Sequence, residues 1–218
     1  FKTPFKTFPF LRWFFNSGTI ALASAIGTAL SASIVGFSFA RLRFPGRETL
    51  FLVVLATMIL PEHVRLVPTY LLFTWLGWVG TFLPLIIPNW FAPAFFVFLM
   101  RQFFMTIPKE YDDSAYIDGC NAFDFFWRIL LPLSRPALTT VSVLAFVTSW
   151  NAYLLPLLVL NDEQQHTLPL GTAMFSTQYT QDTARVLAFT ALSMVPALVF
   201  FVLAERRIVG GLTGAVKG

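Results

Sequence analysis

Residues 13–40 read WFFNSGTIALASAIGTALSASIVGFSFA, from Trp13 to Ala40 without one charged side chain. At 1.5 Å of rise per helical residue, about 20 residues cross a hydrocarbon layer of about 30 Å, so this run can span a bilayer. Its small residues recur at helical spacing: Ala25 with Ala29, Gly27 with Ser31, and Ala32, Gly36 and Ala40 in a row. Such ladders let helix backbones approach closely in lipid. The stretch reads as a membrane helix packed against other helices.

Further apolar runs follow on its C-terminal side. One starts after the turn cluster Phe44-Pro45-Gly46-Arg47 and continues to about Phe73, with Pro61 and Pro68 inside it, which predicts a kink in its outer half. The others cover about Leu83 to Phe104, Pro136 to Leu160 and Val186 to Ala204. Of 218 residues, 56% are hydrophobic and only 12% charged, far below the roughly 25% of a soluble domain. A water-soluble fold could not cover itself with so few charges. The expectation is an all-α polytopic membrane protein, one transmembrane domain over residues 1–218 with five spans. The chain opens on Phe1, and FKTPFKTFPF carries prolines and lysines without a cleavable signal pattern. That reads as the middle of a longer gene product, with an earlier span missing from this fragment.

Five spans put the two ends on opposite sides, and basic residues choose the inner one. Ten of the fifteen lysines and arginines fall on one side: Arg41, Arg43, Arg47, Arg101, Lys109, Arg128, Arg135, Arg206, Arg207 and Lys217. Lys2, Lys6, Arg12, Arg65 and Arg185 fall on the other. Gly218 is therefore expected in the cytoplasm and Phe1 outside, with Trp13, Trp75 and Trp78 near the outer interface where indoles anchor. The basic residues form no stripe interleaved with stacking aromatics, so nucleic-acid binding is not expected. Cys120 is the only cysteine, which rules out an intramolecular disulfide and a thiolate metal cluster.

The longest polar stretch assigned to the inner side is Ile107 to Arg135. It reads as two short helices. The first, about Lys109 to Asp118, carries Glu110, Asp112 and Asp113 in its opening turns, where the helix dipole favours carboxylates, and Gly119 stands at a C-terminal cap position. The second starts at Asn121, a good N-cap, and places Phe123, Phe126, Trp127 and Leu130 on one apolar face for the membrane or a neighbouring helix. Pro132 and Pro136 end it and start the next span.

Asp113-Ser114-Ala115-Tyr116-Ile117-Asp118-Gly119, followed by Ile129-Leu130-Leu131-Pro132-Leu133, resembles the EAA loop of binding-protein-dependent ABC importer permeases. Trp150-Asn151 before Pro156, and the tail Gly210 to Gly218, look most like the MalG-like carbohydrate branch. Two positions depart from the pattern: Asp113 keeps the charge of the usual glutamate on a shorter arm, and Ser114 keeps the small size of the first alanine. The resemblance implies the transmembrane domain of a type I ABC importer. Residues 107–135 would be its cytoplasmic coupling loop. Glu110, Asp113, Ser114, Ala115, Asp118 and Gly119 would meet an ATPase subunit, with Lys217 of the tail as a secondary contact. The second short helix would brace the first against the membrane. The implied partners are a second homologous permease subunit, two ATP-binding-cassette ATPases, an extracytoplasmic substrate-binding protein and membrane lipid. The implied location is a bacterial or archaeal cytoplasmic membrane, and the favoured cargo is a carbohydrate.

Two groups are candidates for the substrate path. Glu62 and Arg65 follow Pro61, and ionisable residues in a membrane segment are costly and often functional. The alternative is an ion pair at the outer mouth, since residues three apart on a helix can neutralise one another. Thr148, Ser149, Trp150, Asn151 and Tyr153 supply hydroxyls, an amide and aromatic faces of the kind that bind sugars, although Ser, Thr and Asn also join helices to each other. Asn161 to Ala184 is polar and turn-rich, either a plain connector or, by resemblance, the outer loop reaching toward the binding protein. No G-x-x-x-x-G-K-[ST] phosphate loop, HExxH or G-x-S-x-G elbow occurs, so neither cofactor nor catalysis is expected of the chain itself. Leu60-Pro61-Glu62-His63-Val64-Arg65 also resembles a segment of glycerol-3-phosphate permeases, which keeps a polyol phosphate open as cargo. A secondary carrier working without an ATPase is the alternative of another class.

Overall fold

The computed structural model describes residues 9–178, 186–188, 190–199 and 202. A 32-residue helix, α1 (Phe10–Arg41), runs through its centre. Helices α4 (Ala94–Thr106) and α6 (Arg135–Trp150) pack along it. The small residues of α1 explain the closeness. A Cβ placed on Gly27 would overlap the indole of Trp90, and one on Gly36 would crowd Met100 of α4. Ala21, Ala25 and Ala32 lie in the same buried face.

The hydroxyls of α1 do further work. The segment ahead of α4 is not continuous helix: Leu83–Ile86 gives way to a tighter turn, Ile87–Trp90, and Ala92 takes a φ of 51° before Pro93 starts α4. Such a break frees backbone groups that lipid cannot satisfy. Ser24 Oγ donates to the Leu85 carbonyl at 3.2 Å, Thr28 Oγ1 donates to that of Asn89 at 3.2 Å, and Ser31 Oγ accepts from Ala92 N–H at 3.1 Å. Asn89 Nδ2 adds bonds to Leu85 O and Ser24 Oγ. Ser24, Thr28 and Ser31, at i, i+4 and i+7, thus form one polar stripe that repairs a broken neighbour.

The second expected span is broken more sharply than a kink. Helix α2 (Arg47–Ala56) ends in a short turn, Thr57–Ile59, and α3 (Glu62–Trp75) leaves at 99° to it. Pro61 supplies the reason, because it biases Leu60 to an extended conformation, here φ −73° and ψ 116°. Pro68, by contrast, is accommodated inside α3. The fourth expected span also stops early. Helix α6 ends at Trp150 and a separate short helix, Leu154–Val159, follows. Pro156 sits in the first turn of that piece, where the N–H it lacks would have no intrahelical partner.

By length and composition, α1 and Leu83–Thr106 can each cross a membrane. The described residues give up to four spans if each of two bent pairs, Arg47–Ile59 with Glu62–Trp75 and Ala122–Leu133 with Arg135–Trp150, counts as one. The fifth expected span, Val186 to Ala204, lies partly outside the described residues, and the tail with Lys217 lies wholly outside them.

Asn161 to Ala184 is not simply a polar connector. Its apolar portion folds as α7 (Leu168–Gln178), with Leu168 and Leu170 buried and Gly171 seated on the indole of Trp13. Trp13 is fully buried and donates its Nε1–H to the Glu163 carbonyl at 2.7 Å, so it is a core residue of that end and not a lipid-facing anchor. Trp75 is exposed, as an anchor would be, and Trp78 stacks on Phe73.

Candidate coupling site

Helix α5 (Glu110–Ile117) forms because Pro108 stops α4's chain from continuing, and three carboxylates, Glu110, Asp112 and Asp113, sit in its first turn. It ends at Gly119. The Gly119 N–H donates to Tyr116 O at 3.1 Å and the Cys120 N–H to Ala115 O at 2.9 Å, and Gly119 has φ 82°. Those two bonds and the left-handed residue make a Schellman cap. The expected glycine stop is therefore built as the sequence indicates.

One side of α5 faces the protein. Ala115 is 3% exposed, and Asp112, three residues earlier, reaches the end of α1. Glu110, Tyr111, Asp113, Ser114, Tyr116, Ile117 and Asp118 are exposed, Ile117 at 86%. Of the expected coupling residues, Glu110, Asp113, Ser114, Asp118 and Gly119 are thus on the accessible side, whereas Ala115 is a packing residue. An apolar side chain as open as Ile117, on a short acidic helix, has the character of an interface anchor; Tyr111 and Ile117 are absent from the set expected from sequence.

Two routes tie α5 to α1. Arg41, in the last turn of α1, donates from Nη2 to the Ile107 carbonyl at 2.7 Å, and its Nε lies 3.5 Å from Asp112 Oδ2. Burial pushes the Asp112 carboxyl above the usual carboxylate range, opposed by the Arg41 guanidinium. The second route is aromatic: Tyr116 to Phe125 with centroids 6.4 Å apart, Phe125 to Phe37 of α1 at 6.4 Å, and Phe37 to Phe126 at 5.0 Å.

The brace after α5 starts as expected, with Asn121 Oδ1 accepting from Asp124 N–H at 2.9 Å. Its apolar face differs. Phe125, Phe126 and Leu130 are buried, while Phe123 and Trp127 are exposed and touch each other. Phe126–Leu130 is a π-helical turn, and Phe126 and Leu130 of the expected face pack inward together with Phe125. A bend of 78° then leads into α6.

The same end of the bundle holds Arg101, which bonds Glu48 at 3.2 Å and lies over the Phe51 ring at 4.0 Å. An open depression there is lined by Arg43, Arg47 and Lys109.

The substrate-path candidates stand on separate elements, Glu62 and Arg65 in α3 and Thr148, Ser149 and Trp150 in α6. Glu62 and Arg65 are both exposed, and among the described residues the ion pairs are Arg41–Asp112, Arg47–Glu48, Arg101–Glu48 and Arg128–Asp124. Glu62 and Arg65 therefore do not neutralise each other. Trp150 is buried between Phe146, stacked at 5.6 Å, and Phe14 at 5.8 Å, so its ring packs within this chain. Asn151 Nδ2 turns back to Val147 O at 2.9 Å. Thr148, Asn151 and Tyr153 are exposed and Ser149 is half-buried.

Residues 32–206 match the family described as the binding-protein-dependent transport system inner membrane component. The chain belongs to this permease family. Among its relatives, the arabinooligosaccharides transport system permease protein AraQ of Halalkalibacterium halodurans is 37% identical over 207 residues, covering 94% of this chain and 74% of that protein. The sn-glycerol-3-phosphate transport system permease protein UgpE of Agrobacterium fabrum is 37% identical over 208 residues, covering 94% and 73%. A bacterial ABC transporter involved in the import of the acidic polysaccharide alginate has a chain of the same fold, with a TM-score of 0.76 at 20% identity over 90% of this chain and 74% of that one. This permease is accordingly an inner-membrane component of a transport system, and its α5 occupies the place where the EAA resemblance falls.

Proposed function

We propose that this permease takes up a carbohydrate by alternating access, paired with a second homologous permease subunit and driven by two separate ATPases, with an extracytoplasmic binding protein delivering the solute. The chain itself catalyses nothing. Its C-terminus lies in the cytoplasm, and residues 107–135 form the coupling loop, with Glu110, Asp113, Ser114, Asp118, Gly119 and the tail Lys217 meeting an ATPase. Ala115 holds the helix against the body. The observation that carries this is α5 itself: a capped acidic helix, exposed on one side and fixed to the central helix on the other. ATPase closure moves α5, α1 follows, and the helices packed on α1 reorient.

A second cargo has an observation in its favour. Arg65 is exposed beside the 99° break and is unpaired with Glu62, which suits a phosphate, and UgpE is as similar as AraQ. Thr148, Ser149, Asn151 and Tyr153 instead suit a sugar. Proteoliposomes holding the permease with a second permease subunit, the ATPases and a binding protein discriminate these. Arabino-oligosaccharide uptake that needs ATP and the binding protein is the expected result. Uptake of glycerol 3-phosphate alone would move the cargo to the phosphate class, and uptake without any ATPase would overturn the coupling proposal.

A further inference from the structure

We infer that Asp112 and Arg41 form the tether through which motion of α5 reaches the central helix, so that Asp112 is a positioning residue for coupling although it makes no contact with the ATPase. This rests on the proposed role of α5. An isolated helix of eight residues is marginal, and one hinged at Pro108 and Gly119 would pivot if pushed, without transmitting displacement. The side chains of Arg41 and Asp112 are 5% and 16% exposed; Arg41 hydrogen-bonds the Ile107 carbonyl on the near side of the hinge, and its Nε makes a 3.5 Å charge contact with Asp112 Oδ2, while Nε and Asp112 Oδ1 have no hydrogen-bond partner among the described residues. Removing one partner of a buried charge contact costs more than breaking an open pair such as Arg128–Asp124, where Arg128 is 76% exposed. The charged groups beside Asp112 on its own segment, Lys109 and Asp113, have exposed side chains and cannot replace it from inside. The aromatic contact of Tyr116 with Phe125 supports the helix from its other end.

Asp112→Asn keeps the shape and removes the charge. In reconstituted complex, Asp112→Asn is expected to lower solute imported per ATP hydrolysed about tenfold, with ATPase activity persisting, while Asp112→Glu stays within about threefold of wild type. In the permease alone, amide exchange across 110–118 should rise in Asp112→Asn and stay unchanged across α1. A wild-type ratio of import to hydrolysis in Asp112→Asn, or unchanged exchange, overturns the tether. Loss of assembly in Asp112→Asn and Asp112→Glu alike also overturns it, because the pair would then serve folding and not coupling. If wild-type import proves independent of the ATPase, the role of α5 itself fails, an outcome read from wild type alone.

Discussion

Gly119→Val is expected to lower solute uptake per assembled complex roughly tenfold, with normal amounts of permease in the membrane. Gly119 has φ 82° and closes α5 with two backbone bonds. A Cβ there would meet nothing within 4 Å, so no clash enters and the whole effect is backbone conformation. The left-handed region costs an L-residue about 1–2 kcal/mol, more for a β-branched side chain. Since about 1.4 kcal/mol is tenfold in a population, most molecules would end α5 differently and present the Asp113 to Asp118 segment in another orientation. Asparagine tolerates this conformation better than alanine, so uptake should rank Gly, Asn, Ala, Val. Equal uptake by all four in a transport assay normalised to assembled complex would show that the helix end carries no coupling.

Trp13→Ala is expected to have the largest effect on stability, about 3 kcal/mol or more, because a fully buried tryptophan leaves a large cavity. For a chain of this length that corresponds to roughly 6–12 °C in the thermal midpoint of the detergent-solubilised protein. Trp13 joins three elements: its ring lies against Gly171 of α7, near His166, and its Nε1–H holds the Glu163 carbonyl. Trp13→Phe keeps most of the volume and loses the hydrogen bond, so it should cost only about 1 kcal/mol. Equal midpoints for the alanine variant and wild type would mean that this end is not a packed junction.

What the residue pattern revealed was mostly local. The uncharged run of α1, its small-residue ladder, the carboxylates opening α5, its glycine stop and the Asn121 cap all depend on neighbours within a few positions, and the fold builds each of them. Pairings between distant segments were not readable. Arg41 and Asp112 lie far apart in sequence, and nothing in either segment alone marks Arg41 as more than a basic residue at a span's end. Trp13 has the composition of an interfacial anchor and becomes core only because Gly171 makes room for it. Trp150 offered an aromatic face for sugar and instead stacks within the bundle. The π-helical turn at Phe126–Leu130 has no mark in the sequence, since a strict 3.6-residue period does not register an inserted turn.

A photoreactive amino acid at Ile117, the most exposed apolar position of α5, tests the coupling contact directly. In the assembled transporter it should crosslink to an ATPase subunit in high yield, and the yield should change between nucleotide-free and ATP-bound states. Crosslinks to lipid or to the binding protein, with none to an ATPase in either state, would contradict the proposed seat of the coupling helix.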